Sequence, residues 1–357
     1  MFFALTQMNE RISASDYTRT IPVSCPGCNK PVFLKKGPKI MAHFAHYAGA
    51  ECHQFSEGET TQHLLGKQRL FEWLTKLNIP VEMEAWLPEL KQRPDLLVTY
   101  QNRRIALEYQ CSSIPFARLK ERTDGYMSKG YEVYWICGMD YVPTTYTERI
   151  AAFRQKNNTL ICLDSNQNTL HMYHDLHFDT RNRLQKKQFS IILSDLDFPS
   201  FETLFNKPQP NYPRKKAAMT YQNHLLLLKR KDTVHRDFLL NVYLGGHSVH
   251  SLPAYIFTTP YKTLEFCQPS YIWRYQLLRK FRESITLQDL KAFSQAIPQY
   301  DALYLHEPLE PLLEFIAELE QAKVLKRMDD KSWQVQTKKS CLDFFLDGIM
   351  VINEAND

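Results

Sequence analysis

Between residues 57 and 77 the apolar positions Leu64, Leu65, Leu70, Phe71 and Leu74 recur at helical spacing, and Pro80 closes the pattern. The period then changes. Residues 79–87 (IPVEMEAWL) alternate as a strand does, and 94–100 (PDLLVTY) and 104–111 (RIALEYQC) are two further strand-like runs. Gln101-Asn102-Arg103 reads as a short hairpin link between them. A second helix is expected over 115–129, closed by Gly130. Residues 131–137 (YEVYWIC) are an apolar run typical of a buried strand. The expected order is therefore α-β-β-β-α-β, followed by a helix over 145–156 and a hairpin over 159–173 that turns at Asp164-Ser165-Asn166.

On either side the pattern is different. Residues 1–55 read as small, irregular and cysteine-bearing. Pro199, Pro208, Pro210 and Pro213 crowd the stretch 196–213, a linker signal. Beyond it 214–300 reads as mostly helical. An acidic amphipathic helix over 309–321 runs into VLKRM, Asp329-Asp330 and SWQVQ, a helix-then-hairpin pattern like that of a winged helix. The expected organisation is an N-terminal module (1–55), an α/β domain (56–195), a linker (196–213) and a mostly helical C-terminal domain (214–357).

Composition narrows the class without naming it. Hydrophobic residues make up 44% and charged residues 23% of the 357, which argues for a globular chain and against a disordered one. No apolar run approaches the ~18 residues of a membrane span. The first residues lack the basic region of a secretory signal, so a cytoplasmic, reducing location is expected and the eight cysteines read as metal ligands or buried thiols. The absence of a G-x-x-x-x-G-K-[ST] loop argues against a built-in ATP motor.

Net charge is only +5, but it is unevenly spread. Residues 201–300 hold 14 Lys/Arg against 6 Asp/Glu, whereas 301–357 hold 6 against 12. In the basic stretch Arg274, Arg279, Lys280 and Arg282 interleave with Trp273 and Tyr275. Such a surface suits a phosphate backbone with bases stacked beside it; a solvated helix face over core aromatics is the competing reading.

The densest chemistry lies in Arg93-Pro94-Asp95 and Glu108-Tyr109-Gln110. If Tyr100 faces Ile105 across the hairpin, Asp95 lies opposite Gln110, with Glu108 two positions along on the same face. Two close carboxylates repel each other, and Mg²⁺ or Mn²⁺ relieves that repulsion while keeping positions open for water and phosphate. Glu108 also sits inside an apolar run, where an idle charge is costly. On the preceding helix Glu59, His63 and Lys67 recur every four residues and line one face. Glu59 could add a carboxylate, and His63 or Lys67 could contact phosphate or assist proton transfer.

Cys25-Pro26-Gly27-Cys28 is a C-x2-C knuckle, with His43, His46 and Cys52 downstream. Soft thiolates with imidazole favour four-coordinate Zn²⁺. Cys25, Cys28, Cys52 and one histidine are the expected ligands, His46 ahead of His43 and His53 a weaker alternative. The remaining cysteines read as core residues.

Taken together, P-D…E-x-Q on this element order resembles the PD-(D/E)xK nuclease superfamily. CPGC, HFAH, SEGETTQH…K, RPD and ALEYQ are similar to the competence protein CoiA family over nearly the whole chain. The resemblance implies a restriction-endonuclease-like α/β core with a small N-terminal zinc-binding module and a mostly helical C-terminal domain. It implies divalent metal at Asp95 and Glu108. The superfamily's third position is often a lysine that holds the attacking water; here it is Gln110, and Lys67 could substitute. The implied role is in natural transformation, helping incoming single-stranded or branched DNA recombine in the cytosol, with recombinase and single-strand-binding proteins as partners. Two other classes stay open: a non-catalytic DNA-binding mediator that retains the nuclease fold, and a zinc-bearing protein adaptor.

Overall fold

The structure is a computed structural model of the chain that describes residues 1–38, 40–49, 60–155, 157–179, 183–206, 233–257, 262–280, 283–304 and 308–336. The chain divides into two compact units. The first takes Met1–Asp175, Lys186–Pro210 and Asp301–Tyr304, and the second takes Leu176–Gln185, Asn211–Tyr300 and Leu305–Asp357.

The first unit opens with short strands. β1 (Phe3–Thr6) lies between β2 (Arg11–Ser13) and β3 (Val23–Ser24), and β4 (Val32–Gly37) pairs with β5 (Ile40–His46). Ala4, Val23, Val32, Leu34 and Phe44 form their shared core. These residues are therefore not irregular, as their patterning suggested. Strands of two to seven residues simply carry too little alternation to be read.

The α/β domain follows in the expected order: α1 (Thr61–Lys76), β6 (Val81–Met83), β7 (Leu96–Tyr100), β8 (Arg103–Gln110), α2 (Phe116–Ser128) and β9 (Glu132–Gly138). α3 (Glu148–Phe153), β10 (Leu160–Asp164), β11 (Thr169–Phe178) and β12 (Leu184–Ile192) complete a seven-stranded sheet in the order β12-β11-β10-β9-β8-β7-β6. β8, β9 and β10 run parallel, and β6, β7 and β8 are antiparallel. Thr60 caps α1, its hydroxyl accepting from the His63 amide at 3.2 Å.

Alternation along the strands splits the sheet into two buried faces. On one, Leu70, Trp73 and Leu74 of α1 pack on Leu96, Val98, Ile105, Leu107 and Tyr109. On the other, Tyr126 of α2 packs with Leu97, Ala106 and Tyr131. α4 (Phe198–Asn206) joins the first face through Phe198, Phe201 and Phe205. The stretch expected to be a linker from residue 196 thus begins as a packed helix. Pro199 stands in its first turn, where a missing N–H costs nothing. Pro208, Pro210 and Pro213 lie outside the described residues.

The second unit contains α5 (Thr233–Leu244), α6 (Ser270–Lys280), β13 (Ser284–Thr286), α7 (Leu287–Ala296), α8 (Glu310–Gln321), β14 (Leu325–Asp329) and β15 (Ser332–Val335). Its small sheet has the order β13-β15-β14. From α6 onward the order is helix, strand, two helices and hairpin. Among the described residues no helix is long and apolar enough to cross a membrane.

α1 lies directly on β8 because Gly66 has no side chain: a Cβ there would overlap the ring of Tyr109. Gly66→Ala should therefore lower stability by about 1–3 kcal/mol through overpacking, although alanine is the better helix former by ~1 kcal/mol. Urea denaturation followed by circular dichroism checks this; an unchanged or raised midpoint would mean the two elements can separate freely.

Candidate functional site

The β7–β8 hairpin turns in two residues. Gln101 and Asn102 both have positive φ (49° and 63°), the backbone of a type I′ turn that matches the strand twist. Tyr100 consequently pairs with Arg103, and Leu96 with Leu107. This corrects the expected register by two residues. Continuing the observed register by one position sets Asp95 opposite Glu108, not Gln110.

Asp95 stands just before β7, where its carboxylate is free to turn. Oδ2 accepts from the Tyr109 amide at 2.9 Å and lies 3.1 Å from His63 Nε2 on α1. The His63 ring stacks on Tyr109, 5.9 Å between centroids. Lys67, one turn further along α1, is fully buried, with Nζ 3.7 Å from Asp95 and 2.6 Å from Glu84. His63 and Lys67 thus join Asp95, as the helical spacing suggested; Glu59 lies outside the described residues. Burial pushes the Asp95 carboxyl up. The charges of His63 and Lys67, the hydrogen bond from His63 and the charge of Arg122 outweigh it and hold the group well below the ordinary carboxylate range.

Glu84 is the member of this cluster that the sequence reading passed over. It is buried just beyond β6, with a positive φ of 55°. Besides Lys67 it accepts from Arg93 at 3.4 Å and from the Phe2 amide at 2.9 Å. Arg11 adds a second tie, pairing with Glu82 at 2.6 Å and donating to the Met83 carbonyl. The N-terminal strands are thus anchored beside the cluster. The signal for Glu84 was available: like Glu108, it is a charge inside an apolar run, MEAWL.

Glu108 faces the other way, toward α2. It is 1% exposed, and its Oε1 accepts from Arg122 Nη2 at 2.5 Å and from the Tyr126 hydroxyl at 2.7 Å. Gln110 is also buried, and its amide donates to the Ser112 carbonyl at 2.9 Å. The hairpin end therefore presents Asp95 toward α1 and Glu108 toward α2, with Arg122 acting electrically on both.

In the N-terminal module Cys25, Cys28 and His46 bring their ligand atoms within 4.8 Å of one another, a group that could hold a metal ion. His46 Nε2 lies 3.3 Å from Cys28 Sγ. His43 and His46 are three residues apart on β5 and so point to opposite faces; His43 Nδ1 instead approaches the Met41 carbonyl at 2.8 Å. The positive φ that tightens the knuckle belongs to Asn29 (56°), and Gly27 is not in that region. Cys52 and His53 lie outside the described residues. Burial raises the thiols of Cys111 (to about 12), Cys137 and Cys162, which are core groups of the sheet.

The expected basic and aromatic surface is only partly a surface. Trp273 and Tyr275 are buried in the core of the second unit with Phe238, Phe266 and Phe315, and so are not stacking platforms. Arg274 is buried too, paired with Glu318 at 3.3 Å and donating to the Tyr255 carbonyl at 2.8 Å. The cause is that α6 is enclosed nearly all round, with Tyr271, Ile272, Leu277 and Leu278 also inside. Arg279 and Lys280 remain exposed, and Arg282 lies outside the described residues. α8 carries Glu310, Glu314, Glu318 and Glu320 and no basic residue.

A mixed α/β domain, with a charged cluster at one end of its central hairpin and a cysteine–histidine module ahead of it, is the class these features define. The sequence matches the nuclease-like domain of competence protein CoiA over residues 59–209 and that family's N-terminal domain over residues 8–55. It is also 31% identical over 121 residues to the competence protein CoiA of Bacillus subtilis (strain 168). That stretch is 34% of this chain and 32% of the relative, so the match spans about a third of the relative's length. No solved structure matches. The chain belongs to the competence protein CoiA family.

The buried pair Lys67–Glu84 sets a test of the cluster. Lys67→Met removes the nearest cation from buried Glu84, leaving it Arg93 and the Phe2 amide, and should cost about 3–5 kcal/mol, whereas Lys67→Met with Glu84→Gln should recover most of that loss. Chemical denaturation of the single and double variants measures it; equal losses in both would show that the charges do not depend on each other.

Proposed function

We propose that this chain is a divalent-metal-dependent deoxyribonuclease of the PD-(D/E)xK type that acts on incoming DNA in natural transformation and promotes its recombination. The observation that carries the reading is Asp95: a carboxylate held by the Tyr109 amide at 2.9 Å and His63 at 3.1 Å, with the ammonium of Lys67 3.7 Å away. The donor set suits Mg²⁺ or Mn²⁺, since Asp95, just before β7, and Glu108, on β8, offer hard oxygens at the same end of the hairpin. Bound there, such a cation supplies Lewis acidity toward the scissile phosphate and a more acidic water. Asp95 and Glu108 hold it. Lys67 takes the part that the lysine of the third motif position has in the superfamily, orienting water beside Asp95, because the Gln110 amide is turned to Ser112. His63, against Asp95, holds or passes a proton at Nε2.

In this reading Cys25, Cys28 and His46, with Cys52, hold a structural Zn²⁺ that fixes the N-terminal strands. The exposed Arg279 and Lys280, with Arg282, contact DNA phosphates. The substrate is single-stranded or branched DNA in the cytoplasm, and recombinase and single-strand-binding proteins are partners.

A second reading has its own observation. Glu108 is engaged by Arg122 and Tyr126, and a site kept in that state would bind DNA as a recombination mediator without cutting it.

Cleavage of labelled single-stranded, duplex and branched DNA with Mn²⁺ separates the two. Asp95→Ala is expected to abolish cutting while the fold persists, and reversing the charges of Arg279 and Lys280 is expected to weaken binding and flatten its salt dependence. Cutting by Asp95→Ala at the parent rate would exclude this site; no cutting of any DNA by the parent would leave the mediator. Separately, the purified chain should carry about one zinc, lost in Cys25→Ser together with much of the N-terminal module's order. Elemental analysis without zinc in chelator-free protein would overturn that assignment.

A further inference from the structure

The metal-site reading leaves one residue unexplained. Arg122 is on α2, 16% exposed, with Nη2 2.5 Å from Glu108 Oε1 and 3.5 Å from the Arg93 carbonyl. Its guanidinium carbon lies 5.4 Å from the ring centre of Trp135, the residue beside Glu108 on β9. Its charge also reaches Asp95. One guanidinium thus serves both carboxylates that a divalent cation would need. A cation and a guanidinium cannot share that place, because like charges in a poorly solvated pocket repel strongly.

We propose that Arg122 is the resident counter-cation of the Asp95/Glu108 site and must leave Glu108 before a divalent cation binds there. The ligand suited to draw it away is a nucleic-acid phosphate, which accepts two parallel hydrogen bonds from a guanidinium. Arg122 is one-sixth exposed and lies on a helix face, so its side chain can swing outward without disturbing β8. Phosphate binding and metal binding then favour each other: the phosphate takes Arg122, and the freed Glu108 takes the metal. The apo protein stays poorly loaded with metal until DNA arrives. This inference rests on the metal-site reading above.

The test is Mn²⁺ binding by the full chain, read from the electron paramagnetic resonance signal of free Mn²⁺. Arg122→Gln can still donate to Glu108 but carries no charge, and it should bind Mn²⁺ about tenfold or more tightly than the parent; Arg122→Lys, which keeps the charge, should stay near the parent. Adding Asp95→Ala to Arg122→Gln should remove the gain. If Arg122→Gln binds like the parent while Asp95→Ala abolishes binding in both, the metal site stands and the role of Arg122 falls. If Asp95→Ala changes nothing in either background, the metal site itself is wrong and the inference falls with it. A second measurement needs no change at Arg122. Departure of the guanidinium from Trp135 should alter that residue's fluorescence when Mg²⁺ saturates the parent, and Trp135→Phe should lose the change. Constant Trp135 emission at Mg²⁺ concentrations that displace the bound Mn²⁺ overturns the proposal.

Discussion

The fully buried ammonium of Lys67 is the constraint on which the first unit depends. A charge removed from water must find anions, and it finds Glu84 at 2.6 Å and Asp95 at 3.7 Å. Each anion then needs further donors. Glu84 takes the Phe2 amide and Arg93, and Asp95 takes the Tyr109 amide and His63. One lysine thereby joins the N-terminal strands, α1, the end of β6, the start of β7 and the end of β8. These segments are far apart in the chain, and no hydrophobic contact would set their register as narrowly.

The same arrangement puts chemistry at the hairpin end. β8 alternates Leu107 and Tyr109 toward α1 with Glu108 and Gln110 toward α2, and Asp95 sits before its strand, where the backbone no longer dictates direction. Gly66 lets Tyr109 approach α1 closely enough for its amide and ring to support Asp95 and His63. The cluster sets Lys67, Arg93, Arg122 and His63 among Glu84, Asp95 and Glu108. A group entering it has to displace one of these contacts.

In the second unit, charge and aromatic content have separate destinations. Tyr271, Trp273 and Tyr275 build the core, while the charges of Arg279 and Lys280 are at the end of α6 in solvent. α8 is acidic, and two of its glutamates are occupied internally by Arg274 and by Arg327 with Trp333.

By itself the sequence determined the order α-β-β-β-α-β, the cysteine knuckle, the His63–Lys67 face of α1 and the presence of Asp95 and Glu108 at one end of the hairpin. Each of these follows from local periodicity or from a charge standing in an apolar run. It also carried the CoiA family in its motifs. What it left to the tertiary structure were the features set by distant contacts. The hairpin register turned on whether Gln101 and Asn102 would both accept positive φ, which residue type permits without requiring. Glu84 and Arg122 joined the cluster only through segments that meet in space. The preference for His46 over His43 was already in the sequence reading and the face of β5 agrees with it, whereas the burial of Trp273 needed the helices around it. A pattern read along one chain records which face a residue occupies, whereas its partner is decided by what the fold brings to that face.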